Sequence, residues 1–302
     1  MNGQDLKAYV EASPKLVNMR PAGEGIFVLK YKKSVFYDDL WNDYLEQCRG
    51  TIVDADFNLV SYPFTKIYNY GVEKKAPVLD ADTPLTAYRK VNGFMVAMTY
   101  YNGDVLVSTT GSTDSDYVNM AKEMMLTHAP WADWQMALGN VECQGMTFMF
   151  ECVHPNDPHI IPEKAGMYVL GYRANVWDSK IGHEPFFLKE LARMFNCFSP
   201  ESVSTNMARL QQLAKECKHE GFVFYTNEGV SAKIKSPYYL TSKWVARNPR
   251  TDKLVNLQAD IKKNLDEEYY PLVDAIRANI EEYTAMDEQA RLAWVRNYLE
   301  LA

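Results

Sequence analysis

Short apolar runs alternate with turn residues from about position 24 to position 125, and this spacing predicts a β-rich region. The segments GIFVLKYK and TIVDADFNLVSYPF are predicted strands, and TYYNGDVLVS is a predicted hairpin because Asn-Gly is the strongest short hairpin signal. Further along, DYVNMAKEMMLTH, PFFLKELARMF and MARLQQLAKECK have helical spacing, whereas MTFMFECV and GMYVLGYRANVW are strand-like. GFVFYT and SAKIKS predict a last hairpin with a turn at Asn227-Glu228-Gly229. This mixture predicts an α+β body.

After NPRTDK the pattern changes, because residues 254–302 have helical spacing almost throughout. We therefore place a domain boundary near Asn248–Asp252, with an α+β domain at 1–248 and a small all-helical domain at 249–302. The tail is acidic: residues 251–302 hold six Lys/Arg against eleven Asp/Glu, which is −5 of the chain's net −7. Its apolar stripe is expected to pack within the tail and onto the body. The stripe includes Leu254, Leu257, Ile261, Leu272, Val273, Ile276, Ile280, Leu292 and Trp294.

Composition excludes several classes of protein. The N-terminal stretch lacks the apolar run of a secretory signal, and no run approaches the roughly 18 apolar residues of a membrane span. A net charge of −7 argues against a protein that coats nucleic acid without specificity, although it leaves room for a local basic groove. The five cysteines form no CxxC pair, so reduced thiols in a cytoplasmic compartment are expected.

The segment TAYRKVNGF places Lys90 three residues before Gly93, against a predicted strand. One interpretation is a surface lysine, because chance matches to Lys-x-x-Gly are common in any lysine-rich chain. The other is a nucleophile at the edge of a pocket. This segment alone does not distinguish a surface lysine from a nucleophile, so the other segments are needed.

Three more segments carry candidate chemistry. Glu151 lies in the apolar strand FMFECV, where a carboxylate needs a partner unless it lies on a solvated edge. Glu220 precedes Gly221 at the start of GFVFYT, where a solvated helix end is the alternative. In AKIKS, Lys233 and Lys235 share one face of a strand and would repel each other without an anion, unless they are lysines of a solvated edge strand.

Taken together and in order, Lys-x-x-Gly, Phe-x-Phe-Glu, Glu-Gly-Phe-Val and Lys-x-Lys-Ser resemble the covalent nucleotidyltransferases, a superfamily of ligases and RNA capping enzymes. The upstream segments QCRGTIVD and PFTKIYNYG make the closer resemblance one to ATP-dependent RNA ligases of the T-even phage single-strand type. The resemblance runs from about Lys30 to Lys243. It implies the nucleotidyltransferase (ligase) fold, with antiparallel sheets and flanking helices.

The resemblance also implies roles for ten residues. Lys90 would be the nucleophile that takes AMP from ATP, and Lys233 and Lys235 would neutralise the phosphate and, with Mg²⁺ or Mn²⁺, lower the pKa of Lys90. Gly93 would allow close backbone approach at the turn. The remaining assignments are Glu151 to ribose or metal, Glu220 to metal, Arg49 and Lys66 to the β- and γ-phosphates, Tyr68 to packing against the nucleotide, and Tyr168 to stacking on adenine.

The expected activity is an ATP-dependent joining of RNA 5′-phosphate and 3′-hydroxyl ends, with tRNA repair favoured by resemblance. A monomer is expected, in the cytoplasm of a host cell if a phage encodes it. Two positions depart from the family pattern: Asn92 replaces the usual acid of Lys-x-Asp-Gly, and Thr110 stands where the family can carry a lysine. The alternatives are a DNA ligase or GTP-using capping enzyme, which the helical tail and the Arg49 and Lys66 segments disfavour, and an inactive RNA-end-binding protein, which retention of the whole residue set disfavours.

Overall fold

The first of three four-stranded antiparallel sheets, the N-terminal sheet, has the strand order β1-β2-β3-β4. The computed structural model describes residues 1–247 and 270–301. The strands are β1 (Val17–Gly23), β2 (Ile26–Tyr31), β3 (Arg49–Asp54) and β4 (Leu59–Ser61). Helix α1 (Gly3–Ala12), capped by the Asn2 side chain, and the short helices α2 (Lys33–Tyr37) and α3 (Asp43–Gln47) accompany this sheet. Their apolar side chains bury Leu29 and Val53 on one face.

The second sheet, the hairpin sheet, has the order β7-β6-β8-β9 and holds the largest core cluster. Its hairpin turns at Asn102 and Gly103, which both have positive φ (50° and 85°), as the Asn-Gly signal predicts. Helices α4, α5 and α6 contribute Met125, Trp134 and Leu188 to that core. The elements are β6 (Phe94–Tyr101), β7 (Asp104–Ser108), α4 (Asp116–His128), α5 (Trp131–Gly139), β8 (Met146–Val153), β9 (Gly166–Ala174) and α6 (Pro185–Met194).

The third sheet, the central sheet, has the order β10-β5-β11-β12. It consists of β5 (Pro84–Arg89), β10 (Ser202–Asn206), β11 (Gly221–Thr226) and β12 (Ser231–Lys235), with helix α7 (Met207–Glu216) packed against it. Strands β5 and β11 pair although more than 130 residues separate them. Residues 90–93 carry the chain from β5 of this sheet to β6 of the hairpin sheet, so Lys90 lies where the two sheets meet. The α+β fold with antiparallel sheets is therefore confirmed.

Helices dominate the C-terminal part that the structure describes: α8 (Pro237–Arg247), α9 (Tyr270–Ala278), α10 (Ile280–Ala285) and α11 (Glu288–Leu301). The last three share a small core that includes Leu272, Val273, Ile276 and Trp294. Leu292 of α11 instead packs with Ile160 and Ala246 of the body. Positions Leu254, Leu257 and Ile261, and the boundary proposed at 248–252, lie outside the described residues. Over the described ranges, no helix has the length and apolar character to cross a membrane.

Gly221 offers a test of how the central sheet is built. Its φ is +126°, and a Cβ there would lie 2.1 Å from the Ile234 carbonyl oxygen of the paired strand. We expect Gly221→Ala to lower the free energy of unfolding by about 2–4 kcal/mol, through overpacking and backbone strain together. The matched control is Gly229→Ala, because Gly229 also has positive φ (+87°) but has nothing within 4 Å of a Cβ.

Urea unfolding of the two variants and the parent measures the difference. The control should lose only about 1–2 kcal/mol, the cost of the left-handed backbone alone. Equal losses in the two variants would show that the contact between β11 and β12 does not restrict this position.

Candidate active site

Lys90 is positioned by backbone contacts on both sides of its turn. Its amide nitrogen donates to the Gly221 carbonyl at 2.8 Å, which ties the end of β5 to the start of β11. Three residues on, the Gly93 amide donates to Glu151 Oε1 at 3.1 Å. A Cβ at Gly93 would lie 2.2 Å from the Cys152 carbonyl oxygen. The glycine is therefore required because the turn crosses strand β8 at close range, and φ at Gly93 is not positive.

A cavity of about 360 Å³ opens at this junction of the sheets. Seven of the ten predicted site residues line it: Arg49, Lys90, Gly93, Glu151, Glu220, Lys233 and Lys235. They come from all three sheets and from turns far apart in the sequence. Part of the remaining wall is apolar and includes Ile67, Met95 and Leu170. A cavity with one charged and one apolar side suits a ligand that has a phosphate group and a flat base.

Lys90 and Glu220 form a buried ion pair in this cavity. The distance from Lys90 Nζ to Glu220 Oε2 is 2.8 Å, and the Glu220 side chain is 4% exposed. Burial opposes the charged ammonium, but the Glu220 and Glu151 carboxylates outweigh it and raise the pKa of Lys90. The carboxylates thus outweigh Lys233 and Lys235 here, and the expectation that the two lysines together with a metal ion lower this pKa stays a prediction. The physical reason is that a carboxylate at hydrogen-bond distance outweighs more distant cations.

The two lysines of β12 face the cavity as the strand periodicity predicts. Burial, followed by the charges of Arg49, Lys66, Lys235 and Lys90, lowers the pKa of Lys233 to about 7. Burial also lowers the pKa of Lys235, although its Nζ lies 3.5 Å from Glu220 Oε1. Lys233 therefore lacks a negative charge close to it, which favours binding of a phosphate anion.

Glu151 and Glu220 are the two carboxylates of the cavity wall. Burial raises the pKa of Glu151, and the nearby charge of Glu220 acts in the same direction. Two buried carboxylates that repel each other fit a divalent cation between or beside them. Among the described residues, no group of three or more His, Cys, Asp or Glu could hold a metal ion by itself.

Three predicted residues do not line the cavity. Lys66 Nζ is paired with Glu73 at 2.5 Å and lies over the rings of Trp41 and Tyr68. The Tyr68 hydroxyl donates to Glu46 at 2.6 Å.

Tyr168 is buried and packs with Val91 and Phe198, and its hydroxyl donates to the Lys164 carbonyl. In this conformation its ring therefore does not face the cavity.

Sequence reasoning missed Arg89, which lines the cavity directly before Lys90 and pairs with Glu163 at 2.8 Å. The sequence feature that could have indicated Arg89 is its position directly before Lys90, at the end of a strand.

The two residues that depart from the family pattern, Asn92 and Thr110, lie in different cavities. Thr110 lines the cavity, whereas Asn92 lines a second cavity together with Glu163. Asn92 therefore does not line the cavity that holds Lys90.

The architecture and the lysine-centred cavity define a nucleotidyltransferase of the ligase type. A family model described as RNA ligase, of the T4 type, matches residues 47–239, which is more than half of the chain. The chain belongs to this RNA ligase family.

Among known proteins, the chain is similar to an RNA ligase of Rhodothermus phage RM378. The two are 24% identical over 345 aligned positions, which cover 91% of this chain and 75% of the phage protein. Two solved forms of an archaeal ATP-dependent RNA ligase share the fold, with TM-scores of 0.56 and 0.55. Each is 13% identical, and the match covers 95% of this chain and 75% of that one.

The Lys90–Glu220 pair makes a prediction about reactivity. Glu220→Gln keeps the shape of the side chain but removes its charge, so the pKa of Lys90 should fall and its neutral fraction should rise between about pH 7 and pH 10. We expect faster acetylation of Lys90 by acetic anhydride in the metal-free variant, measured by peptide mass spectrometry. Glu228→Gln, in the exposed turn between β11 and β12, is the control. Equal rates in all three proteins would show that Glu220 does not hold the proton on Lys90.

Lys233 makes a second prediction, about anion binding. Because its pKa is about 7 in the free protein, Lys233 loses its proton as the pH rises above 7. AMP affinity should therefore fall between about pH 7 and pH 9, by up to about tenfold per pH unit. Lys233→Arg should flatten this dependence, because the guanidinium keeps its charge.

Isothermal titration of both proteins with AMP measures the effect, and their comparison cancels the titration of AMP itself. Identical slopes for the parent and Lys233→Arg would contradict the assignment.

Proposed function

We propose that this RNA ligase uses ATP and a divalent metal ion to join RNA 5′-phosphate and 3′-hydroxyl ends, through AMP attached to Lys90. The observation that carries the proposal is the convergence of Lys90, two carboxylates and four further cations on one cavity, from segments spread between positions 49 and 235. The family membership and the archaeal ATP-dependent relative support the same reaction.

The first step is attack of the Lys90 amine on the α-phosphorus of ATP, which is a substrate here. A P–N bond forms, the P–O bond to the β-phosphate breaks, and pyrophosphate leaves. Lys233 and Lys235 would neutralise the α-phosphate, and Arg49 would hold the departing phosphates. Lys66 remains on Glu73 in this structure, so its assigned contact with those phosphates requires that ion pair to open. The apolar side of the cavity, at Met95 and Leu170, would receive the base.

Glu151 and Glu220 are the residues that would hold Mg²⁺ or Mn²⁺. Such an ion, when bound, supplies positive charge that stabilises the transferring phosphate. Glu220 also controls the proton of Lys90, because its carboxylate is the group that holds the ammonium at 2.8 Å. A cation held by Glu220 would take away the principal counter-charge of Lys90, which would lower the pKa of the amine and favour its neutral, nucleophilic form.

In the later steps AMP passes to an RNA 5′-phosphate, and a 3′-hydroxyl then displaces AMP to seal the strand. Broken tRNA is our proposed substrate, and a monomer working in the cytoplasm of a phage-infected cell is our proposed setting, supported by the phage relative. We further propose a body at 1–248 and a helical domain at 249–302 that selects among RNA substrates. Helix α11 packs on the loop after β8, where Arg296 Nε donates to the Ile160 carbonyl at 2.6 Å. The tail could act on substrate choice through this contact.

The reaction is tested by joining 5′-labelled single-stranded RNA in the presence of ATP and Mg²⁺. Lys90→Ala should join no 5′-phosphorylated RNA, because its first step is lost. The same variant should still seal RNA that already carries a 5′-adenylate, since that substrate bypasses lysyl-AMP. Lys189→Ala, at a lysine exposed on α6, is the control and should behave as the parent. Joining of 5′-phosphorylated RNA by Lys90→Ala would remove the nucleophile assignment.

A further inference from the structure

Strand β2 places a lysine directly opposite Arg49. The register between β2 and β3 shifts by one residue at this point: Leu29 pairs with Thr51, and Lys30 pairs with Arg49, so Gly50 is left as a bulge. Gly50 has a φ of +96°, which suits that bulge. Like charges directly opposite each other in a sheet are destabilising. The bulge brings Lys30 opposite Arg49, and without an anion between them this pairing destabilises the N-terminal sheet.

The bulge packs against a turn of the cavity wall. A Cβ at Gly50 would lie 2.9 Å from Thr110 Cα, and a Cβ at Gly111 would lie 2.7 Å from Lys30 Cδ. Gly50 therefore lets the bulge approach the turn that holds Thr110, and Gly111 lets the Lys30 side chain lie against that turn. Thr110 and Arg49 line the cavity, and Lys30 Nζ donates to Thr110 Oγ1 at 3.4 Å. This distance is longer than an ordinary N–H···O bond, so the contact is weak.

Within the described part of the chain, no carboxylate compensates this charge. Among residues 1–247 and 270–301, the structure shows no acidic side chain at ion-pair distance from Lys30 or Arg49. Burial, then Arg20 and then Arg49, lower the pKa of Lys30, so its whole electrostatic surrounding disfavours the ammonium. A partly buried ammonium with one weak hydrogen bond is costly unless a ligand supplies the missing negative charge.

We propose that Lys30 is a phosphate-binding residue of this ligase, which together with Arg49 holds the β- and γ-phosphates of ATP and the pyrophosphate that leaves. The inference rests on the proposed function, and it adds a residue from a strand that the sequence motifs did not include. AMP lacks both of these phosphates, so Lys30 should matter for ATP and pyrophosphate and not for AMP.

The variants Lys30→Met, Lys30→Arg and Lys33→Met test this assignment. Lys30→Met removes the charge at nearly constant length, Lys30→Arg keeps it, and Lys33→Met removes an exposed charge three residues away. For Lys30→Met we expect a roughly 10- to 100-fold weaker affinity for pyrophosphate by isothermal titration, and a similar rise in the ATP concentration that half-saturates lysyl-AMP formation. AMP affinity should be unchanged. Lys30→Arg should retain most of the parent's affinity, and Lys33→Met should match the parent.

Thermal unfolding without ligand separates this role from a structural one. Because removal of the Lys30 charge relieves repulsion with Arg49, Lys30→Met should unfold at the same temperature as the parent or at a higher one. A lower unfolding temperature would show that the fold itself compensates the lysine, and the proposal would be overturned. Unchanged pyrophosphate affinity in Lys30→Met would also overturn the proposal. So would a Lys30→Met protein that forms lysyl-AMP normally and is defective only in transferring AMP to 5′-phosphorylated RNA. If the parent forms no lysyl-AMP, the failure lies with the proposed function, whereas the pyrophosphate comparison still decides the assignment of Lys30.

Discussion

The ion pair between Lys90 and Glu220 is the constraint on which the site depends. It joins a residue after β5 to a residue before β11, and the backbone bond from Lys90 to Gly221 lies beside it. Glu220 also lies 3.5 Å from Lys235 Nζ, so its carboxylate keeps a second counter-charge when Lys90 is replaced. One interaction thus contributes both to the pairing of two distant segments and to the protonation of Lys90. The sheet cannot form as described without bringing the nucleophile candidate to its carboxylate.

This interaction also gives the cavity two electrostatic regions. Near Lys90 the carboxylates Glu151 and Glu220 dominate and favour a cation, either the ammonium or a metal ion. Toward Arg49 and Lys233 positive charge is in excess, and it extends through the bulge to Lys30. ATP with a divalent ion has the charge distribution that such a cavity requires, because its phosphates are negative and its metal ion is positive. The overall net charge of −7 gives no indication of these two cavity regions of opposite charge.

Local patterns were enough to predict most elements of the fold. The Asn102-Gly103 hairpin, helix α4, strand β8 and the hairpin that carries Lys233 follow from spacing and turn residues, since each has a regular apolar periodicity or a turn signal within its own segment. Strand β10, whose pattern SVSTN is polar and exposed, escaped prediction because only its pairing with β5 defines it. Helix α1 escaped because its N-cap signal at Asn2 precedes a weakly amphipathic stretch.

The site was predictable to a similar extent. Seven of the ten residues could be found because their motifs are short and ordered along the chain. The remaining three residues take their positions from partners in other segments. These contacts are Lys66 with Glu73, Tyr68 with Glu46 and Tyr168 with Phe198. The local sequence does not predict them. The raised pKa of Lys90 and the Lys30–Arg49 pair likewise arise from tertiary pairing, and the latter depends on a one-residue bulge.

The most direct test of the account is to locate the attached AMP. Lys233 has the lower pKa in the free protein, so basicity alone would favour attachment there, whereas geometry favours Lys90 at the junction of the sheets. The measurement is peptide mass mapping of the protein after incubation with ATP and Mg²⁺, under conditions that preserve the acid-labile P–N bond. The account predicts AMP on Lys90 alone. AMP on Lys233 or Lys235, with Lys90 unmodified, would contradict it.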